Sequence, residues 1–176
     1  MKLFMSFAGI ILILITSTTA FGQIYGREVY VPNSGIRPIE LSGPRVGLTI
    51  IGGALADTLR NEFGASPFVT QFGWQWEKQF TASEDGFAGL TELVPLIGGI
   101  EQGLFLPSLS FVVGLRTARG AEIGFGPNLS LAGSAYVFAV GITKRVGNLN
   151  FPFNLSVVTS KEGMRVSLLA GFNMAQ

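Results

Sequence analysis

The sequence predicts an all-β protein: an eight-stranded antiparallel up-and-down transmembrane β-barrel with one short loop helix. Three observations point to this fold. Hydrophobic residues make up 48% of the 176-residue chain and charged residues only 13%, about half the usual charged share. No uninterrupted apolar run reaches the roughly 18 residues that a membrane-spanning helix needs. Large apolar side chains instead alternate with small or polar ones, as in strands whose two faces meet different surroundings.

The alternation is clearest in the segment VTQFGWQWEKQF, residues 69–80. One face of this strand carries four large aromatic side chains, those of Phe72, Trp74, Trp76 and Phe80. The opposite face carries glutamines, a glycine and Glu77. This is more exposed apolar surface than a soluble protein normally carries, so the aromatic face meets either a core or lipid.

The first residues predict a secretory signal peptide. Lys2 provides a positive start, residues 7–15 form an apolar run that is too short to span a bilayer, and small residues follow. A buried N-terminal helix is the alternative interpretation. Cleavage after Gly22 fits the small residues best, with cleavage after Ala20 as the alternative. The predicted organisation is then a signal peptide at 1–22, an extended N-terminal segment at 23–43 and a barrel domain at 44–176.

Turn-forming residues divide the remaining chain into eight strand-like segments. An even number of strands joined in sequence by mostly short turns predicts a closed meander. Eight strands close into a small barrel whose interior is filled by side chains. The segments are about 44–53, 69–81, 86–98, 105–117, 120–131, 134–146, 149–159 and 163–174.

One segment follows a helical period instead. In residues 54–63, Leu55, Leu59 and Phe63 recur every fourth position, with charged residues between them. This spacing predicts a short amphipathic helix in the first connection. The helix is expected to pack on the barrel rim or cap its mouth, and contact with a membrane surface is the alternative.

The less apolar faces of the strands predict a narrow polar lumen. They contain mostly Gly, Ser, Asn and isolated charges, whereas the outer face of a soluble barrel would be rich in Lys and Glu. Buried charges are tolerated when they are paired, so we expect an Arg–Glu network that plugs one end of the lumen. A catalytic role for its glutamates is the alternative. The predicted members are Arg45, Glu77, Glu92, Arg116, Glu122 and Arg145.

Large aromatic side chains are expected near the same end, on the opposite faces of the strands. Such a ring of aromatics resembles the girdle of a membrane barrel, where flat side chains prefer the interface. The predicted girdle comprises Trp76, Phe80, Phe87, Phe151, Phe153 and Phe172.

The composition excludes several kinds of chemistry. The chain has no His and no Cys, which removes Ser–His and Cys–His nucleophiles and the usual zinc sites. Gly52 and Gly53 lack the third glycine and the βαβ unit of a dinucleotide site. The formal net charge of +1 offers no electrostatic case for nucleic acid. We therefore expect no catalysis, no cofactor and no metal.

Five segments carry a resemblance to a known family: GPRVGLTIIGG (43–53), QFGWQWEKQF (71–80), LPSLSFVVGLRT (106–117), EIGFGPNLS (122–130) and LLAGFNMA (168–175). With them the chain resembles small outer-membrane β-barrel proteins of the OmpA/OmpX-like kind, especially single-domain barrels of Bacteroidota. The resemblance implies a location in the outer membrane of a Gram-negative bacterium. It also implies outer-membrane lipid and the barrel-assembly machinery as partners. The assembly machinery is expected to recognise the last strand of such barrels. The last strand of this chain departs from the usual pattern at Ala170 and in ending Ala175-Gln176.

A second class of function stays open on the sequence. A soluble exported barrel of the lipocalin-like kind would bind a small apolar ligand in its interior. Such a barrel would place Trp74 and Phe138 inside and Glu77 and Arg145 outside. A membrane barrel reverses this arrangement.

Overall fold

The strands of the part of the chain that the structure describes form a single closed antiparallel sheet. The computed structural model describes residues 41–83 and 86–174. The predicted signal peptide and all but the last residues of the predicted extended segment lie outside these ranges. The strands are β1 Gly43–Ile51, β2 Phe68–Ala82, β3 Phe87–Gly98, β4 Leu106–Thr117, β5 Ala121–Ser130, β6 Gly133–Val146, β7 Leu149–Ser160, β8 Gly163–Gly171 and β9 Asn173–Met174.

Each strand pairs with the next along the chain, and β1 pairs with β8 to close the barrel. The two-residue strand β9 continues β8, because both pair with β7 in the same register. In this register Phe172, the residue between them, lies opposite Phe151, and Gly171 lies opposite Pro152, which has no backbone N–H to donate. The prediction of an eight-stranded up-and-down barrel is therefore confirmed.

The predicted loop helix is confirmed as α1, Ala54–Phe63, between β1 and β2. It follows Gly53, whose φ is 75°, and ends at Gly64 in the left-handed conformation that commonly terminates helices. A short 3₁₀ helix at Ile100–Gln102, between β3 and β4, was not anticipated. Across the two described ranges, no helix combines the length and the apolar character needed to cross a bilayer.

The two ends of the barrel differ. We call one the helical end: it carries α1, the 3₁₀ helix and the turns at 131–132 and 161–162. We call the other the terminal end: it carries Leu41, the last strand residues and the turns at 118–120 and 147–148. The longest connection therefore lies at the helical end.

Alternation along each strand separates a lumen from an outer wall. On β1, Arg45 and Thr49 are each only 1% exposed. Val46 and Ile50, the residues that follow them, are largely exposed. The lumen is also less uniformly polar than the sequence suggested. Two buried apolar clusters fill it: Val94 with Leu96 and Leu169, and Val112 with Val137 and Val158. Strand β3 does not alternate clearly between apolar and polar residues, because it has apolar side chains on both faces: Val94 and Leu96 are buried in the lumen and Leu93 is exposed outside.

Candidate functional site

The centre of the predicted charge network is an ion pair between Arg116 on β4 and Glu77 on β2. Arg116 donates from Nη1 to Oε1 of Glu77 at 2.7 Å and from Nη2 to Oε2 at 2.5 Å. The side chains of Arg116 and Glu77 are 6% and 0% exposed. This bidentate arrangement is the strongest that a guanidinium and a carboxylate can form, and it gives both carboxylate oxygens a hydrogen bond.

Glu122 on β5 completes the pairing of Arg116. The Nε of Arg116 donates to Oε1 of Glu122 at 2.8 Å, and the hydroxyl of Thr143 on β6 donates to the same oxygen at 2.9 Å. One guanidinium therefore holds two carboxylates that come from two different strands. This accounts for the burial of Glu77 and Glu122 without a substrate.

Arg45 on β1 extends the network. Its Nε donates to Oε1 of Gln75 at 3.0 Å, and Nε2 of Gln75 reaches Oε2 of Glu77 at 3.4 Å. Its Nη2 donates to the backbone oxygen of Leu41 at 2.7 Å. In the sheet, Arg45 lies between two glycines, Gly73 on β2 and Gly171 on β8. A Cβ atom on Gly171 would approach Arg45 Nη1 to 2.5 Å, so the glycine provides the room that this side chain occupies.

Glu92 on β3 lies directly opposite Glu77 in the strand register. It is half-buried, and in the part of the chain that the structure describes its carboxylate makes no hydrogen bond. Together with Glu122 and Asn154 it lines a cavity of about 10 Å³. A cavity of this size is close to the smallest that holds one water molecule. Asn154 Oδ1 is buried there without a hydrogen-bond partner among the described groups.

Arg145 does not join the network. Its side chain is exposed, and its Nε donates to the backbone oxygen of Gly147 at 3.2 Å. Glu122 pairs with Gly141 on β6, four residues before Arg145, which is about 13 Å along a strand. Arg145 therefore lies beyond the network, and the placement predicted from the sequence needs correcting. Without it, the network has two arginines and three glutamates.

A second set of lumen contacts lies nearer the helical end and was not singled out from the sequence. The hydroxyl of Thr49 bonds to Gln71 Oε1 at 2.6 Å and to Ser167 Oγ at 2.7 Å. On the other side, Asn128 donates to Ser110 Oγ at 2.9 Å and accepts from Arg165 Nη2 at 2.6 Å. The available signal was that Thr49, Gln71, Ser110 and Asn128 share the face of the network residues on their own strands. Ser167 and Arg165 lie on β8, which carries no network residue.

Helix α1 closes the lumen at the helical end. Its buried residues Ala56 and Leu59 pack against Ile51 and Val69, which point into the lumen from β1 and β2. The backbone N–H of Leu55 donates to the oxygen of Glu162, which ties the helix to the turn between β7 and β8. The helix therefore caps the mouth of the barrel, and only its far side, including Phe63, is exposed.

The connection between β3 and β4 is fixed to β2 by two side chains. The carboxylate of Glu101 accepts from the backbone N–H and the hydroxyl of Thr70. The amide of Gln102 accepts from Ser66 N at 2.6 Å and donates to Phe68 O at 2.9 Å. The hydroxyl of Thr70 is the main reason why the pKa of Glu101 falls to about 2.

The six residues of the predicted aromatic girdle all lie at outward-facing positions, with Trp76 near the middle of β2 and the other five nearer the terminal end. Five of them are exposed and Phe151 is half-buried. The exposed rings are those of Trp76, Phe80, Phe87, Phe153 and Phe172.

No family model, curated protein or solved structure matches this chain. The functional argument therefore rests on the barrel itself. Within residues 41–83 and 86–174, no group of three or more acidic side chains is arranged to hold a metal ion. The network's observed chemistry is the pairing of charges across a filled lumen.

Proposed function

We propose that this protein is an integral outer-membrane β-barrel of the OmpA/OmpX-like kind, with a structural or interaction role. The observation that carries the proposal is the polarity of the two faces. Trp74 and Phe138 on the outer wall are 43% and 53% exposed, whereas Glu77 and Arg116 in the lumen are each 5% exposed. Large apolar side chains outside and charges inside are the arrangement that lipid favours and water does not.

The height of the apolar belt supports the same proposal. On β2, exposed aromatic side chains extend from Phe68 to Phe80, a distance of about 40 Å along an extended strand. At the tilt of about 40° that is typical of such barrels, this corresponds to a height of about 30 Å. The hydrocarbon core of a bilayer has a similar thickness, about 30 Å.

The filled lumen supports a structural or interaction role over transport or storage. The cavity beside Glu92 has a volume of about 10 Å³, whereas pockets for small molecules typically measure about 300–1,000 Å³. A lipocalin-like barrel would need a space of that kind in its interior. Apolar clusters and ion pairs occupy this lumen instead.

The two tryptophans of the chain provide a direct test, because both lie on the outer wall of β2. The variants Trp74→Phe and Trp76→Phe each leave one tryptophan, which can be followed by fluorescence in bilayers that contain lipids brominated at defined depths. We expect both tryptophans to be quenched. Trp74 should respond most to bromine near mid-depth, and Trp76 to bromine nearer the interface. Emission that bromolipids leave unchanged but aqueous iodide quenches would contradict membrane insertion.

Fractionation and gel migration test the location independently. A membrane barrel should remain in the membrane fraction, require detergent for extraction and migrate differently before and after heating. A protein recovered from the periplasm in soluble form without detergent would favour the lipocalin-like alternative.

A further inference from the structure

The rim of the barrel is uneven at the helical end, where β6 and β7 meet. The ladder between these strands begins at the pair Tyr136–Thr159, although β6 itself begins at Gly133. Residues 133–135 pair with β5 on their other side, and no described residue of β7 pairs with them. A Cβ atom built on Gly133 would meet nothing within 4 Å. In this register residues 133 and 134 lie past the end of β7 at Ser160, so β6 extends beyond β7 and leaves a notch in the rim.

A groove of about 470 Å³ occupies this notch. Four hydroxyl-bearing residues line it, together with Pro127 and the exposed Lys161. No carboxylate side chain belongs to the lining. One cation among hydroxyl donors is complementary to an anion with several acceptor oxygens, such as a phosphate ester. The hydroxyl-bearing residues are Ser134, Tyr136, Thr159 and Ser160.

An apolar strip leads from the groove along the outer wall. The ring of Tyr136 stacks on that of Phe125 with 5.5 Å between centroids and 13° between planes. The ring of Phe125 in turn contacts that of Phe138, with 4.8 Å between the ring centroids. All three side chains are exposed. A ligand with an anionic head and an apolar chain can thus contact the groove and the strip together.

We propose that this groove binds the phosphate-bearing headgroup of a membrane lipid, with the acyl chain along Phe125 and Phe138. The inference rests on the proposed membrane location, because the strip then faces lipid. The ammonium group of Lys161 and the hydroxyls of Ser134, Tyr136 and Thr159 donate to the phosphate oxygens. The hydroxyl of Ser160 already donates to the backbone oxygen of Gly163 at 2.9 Å. A peptide added as an extra strand fits less well, since only residues 133–135 offer an unpaired edge and strand addition uses a longer row of backbone groups.

The test measures binding of dioctanoylphosphatidic acid to the full-length folded protein in detergent, by native mass spectrometry. The variant Lys161→Gln removes the cation, and Lys144→Gln is the matched control, since Lys144 is an exposed lysine near the terminal end of β6. We expect Lys161→Gln to weaken binding about tenfold, as for the loss of one charge-assisted contact. Lys144→Gln should leave binding unchanged, and Phe125→Ala should weaken it.

Three results would overturn the proposal. Equal binding by the Lys161→Gln and Lys144→Gln variants would show that the groove does not hold the headgroup. Inorganic phosphate binding as tightly as the lipid would assign the groove to a free anion. Tighter binding of an octapeptide of alternating Val and Thr would assign it to strand addition.

The failure of this inference is distinguishable from failure of the proposed function. A wild-type protein whose tryptophans are quenched by bromolipids, but which binds the lipid independently of Lys161, contradicts only the headgroup site. A wild-type protein without quenching contradicts the membrane location on which the inference rests.

Discussion

Arg116 binds both carboxylate oxygens of Glu77, a residue 39 positions earlier in the chain, at 2.7 and 2.5 Å. The two residues belong to β4 and β2, which are separated in the sheet by β3. The ion pair therefore spans the curve of the wall inside the lumen. It joins strands that share no backbone ladder.

Replacing Arg116 by alanine should destabilise the barrel strongly, because it leaves Glu77 and Glu122 buried without their cation. Breaking such a buried pair costs about 3–5 kcal/mol of unfolding free energy. Urea unfolding in detergent micelles measures this loss. Arg119→Ala is the control, since Arg119 is exposed in a turn and its loss should cost less than about 0.5 kcal/mol. Equal small losses for the two variants would contradict the role assigned to the network.

Replacing two glutamates of the network by glutamine, one at a time, should have different effects on the unfolding free energy. Glu122→Gln weakens contacts with Arg116 and Thr143, and a charge-assisted hydrogen bond contributes about 1.5–3 kcal/mol. Glu92→Gln removes the third carboxyl group of the network and disturbs no described hydrogen bond, so stability should stay the same or rise. The same unfolding assay compares the two variants. A larger loss for Glu92→Gln would show that this carboxylate has a partner in the lumen.

Shortening a side chain of α1 to alanine should lower the unfolding free energy strongly only on the buried face of the helix. Leu59 is 7% exposed where α1 packs against the barrel, and Phe63 is 60% exposed. Leu59→Ala should cost about 2–5 kcal/mol as a buried large-to-small change. Phe63→Ala should change the unfolding free energy little in detergent. If Phe63→Ala instead weakened recovery with lipid vesicles while leaving stability unchanged, the exposed face of α1 would have a membrane contact as well.

The carboxylate of Glu101, which contacts Thr70, should titrate well below the ordinary range of carboxylates. The pKa of Glu101 is lowered to about 2 in the folded protein, so its stabilisation is present above the ordinary value of about 4.5. It is lost as the pH falls through about 2. The amide chemical shift of Thr70 reports this titration. Thr70→Val removes the hydroxyl donor and should raise the midpoint, and an unchanged midpoint would exclude the hydroxyl as its main cause.

Gly171 should not tolerate a side chain. A Cβ atom there would lie 2.4 Å from the backbone oxygen of Pro44 and 2.5 Å from Arg45 Nη1. Gly171→Ala should therefore cost about 1–3 kcal/mol through overpacking. Gly52→Ala is the matched control, because the nearest atom to its Cβ would be 3.7 Å away. Similar unfolding midpoints for the two variants would mean that the strands separate easily at Arg45.

The strand pattern was predictable because each strand has one apolar and one more polar face. The predicted segment 134–146 corresponds to β6, Gly133–Val146, and the predicted helix 54–63 to α1. The first strand ends at Ile51 instead of residue 53, because Gly53 turns the chain into the helix. Local periodicity contains this information, so no long-range contact is needed to read it.

Pairing within the lumen was not predictable in the same way. The sequence predicts Arg145 as a network residue from its face and from its position near the end of its strand, and it predicts no partner for Arg165, which bonds to Asn128. A face assigns a side chain to the lumen but does not fix its height, which depends on the stagger of neighbouring strands. The notch between β6 and β7 has the same origin, since it arises where their ladder stops short.

The sequence by itself determined the number of strands, their faces and the short helix, because these follow from the spacing of apolar residues along the chain. Only the tertiary structure decided which charges meet, that α1 caps the lumen and that a groove forms at the rim beside Lys161. These features depend on the register in which eight strands close around one another. Register combines contacts between residues far apart in the chain, as in the pair Arg116–Glu77.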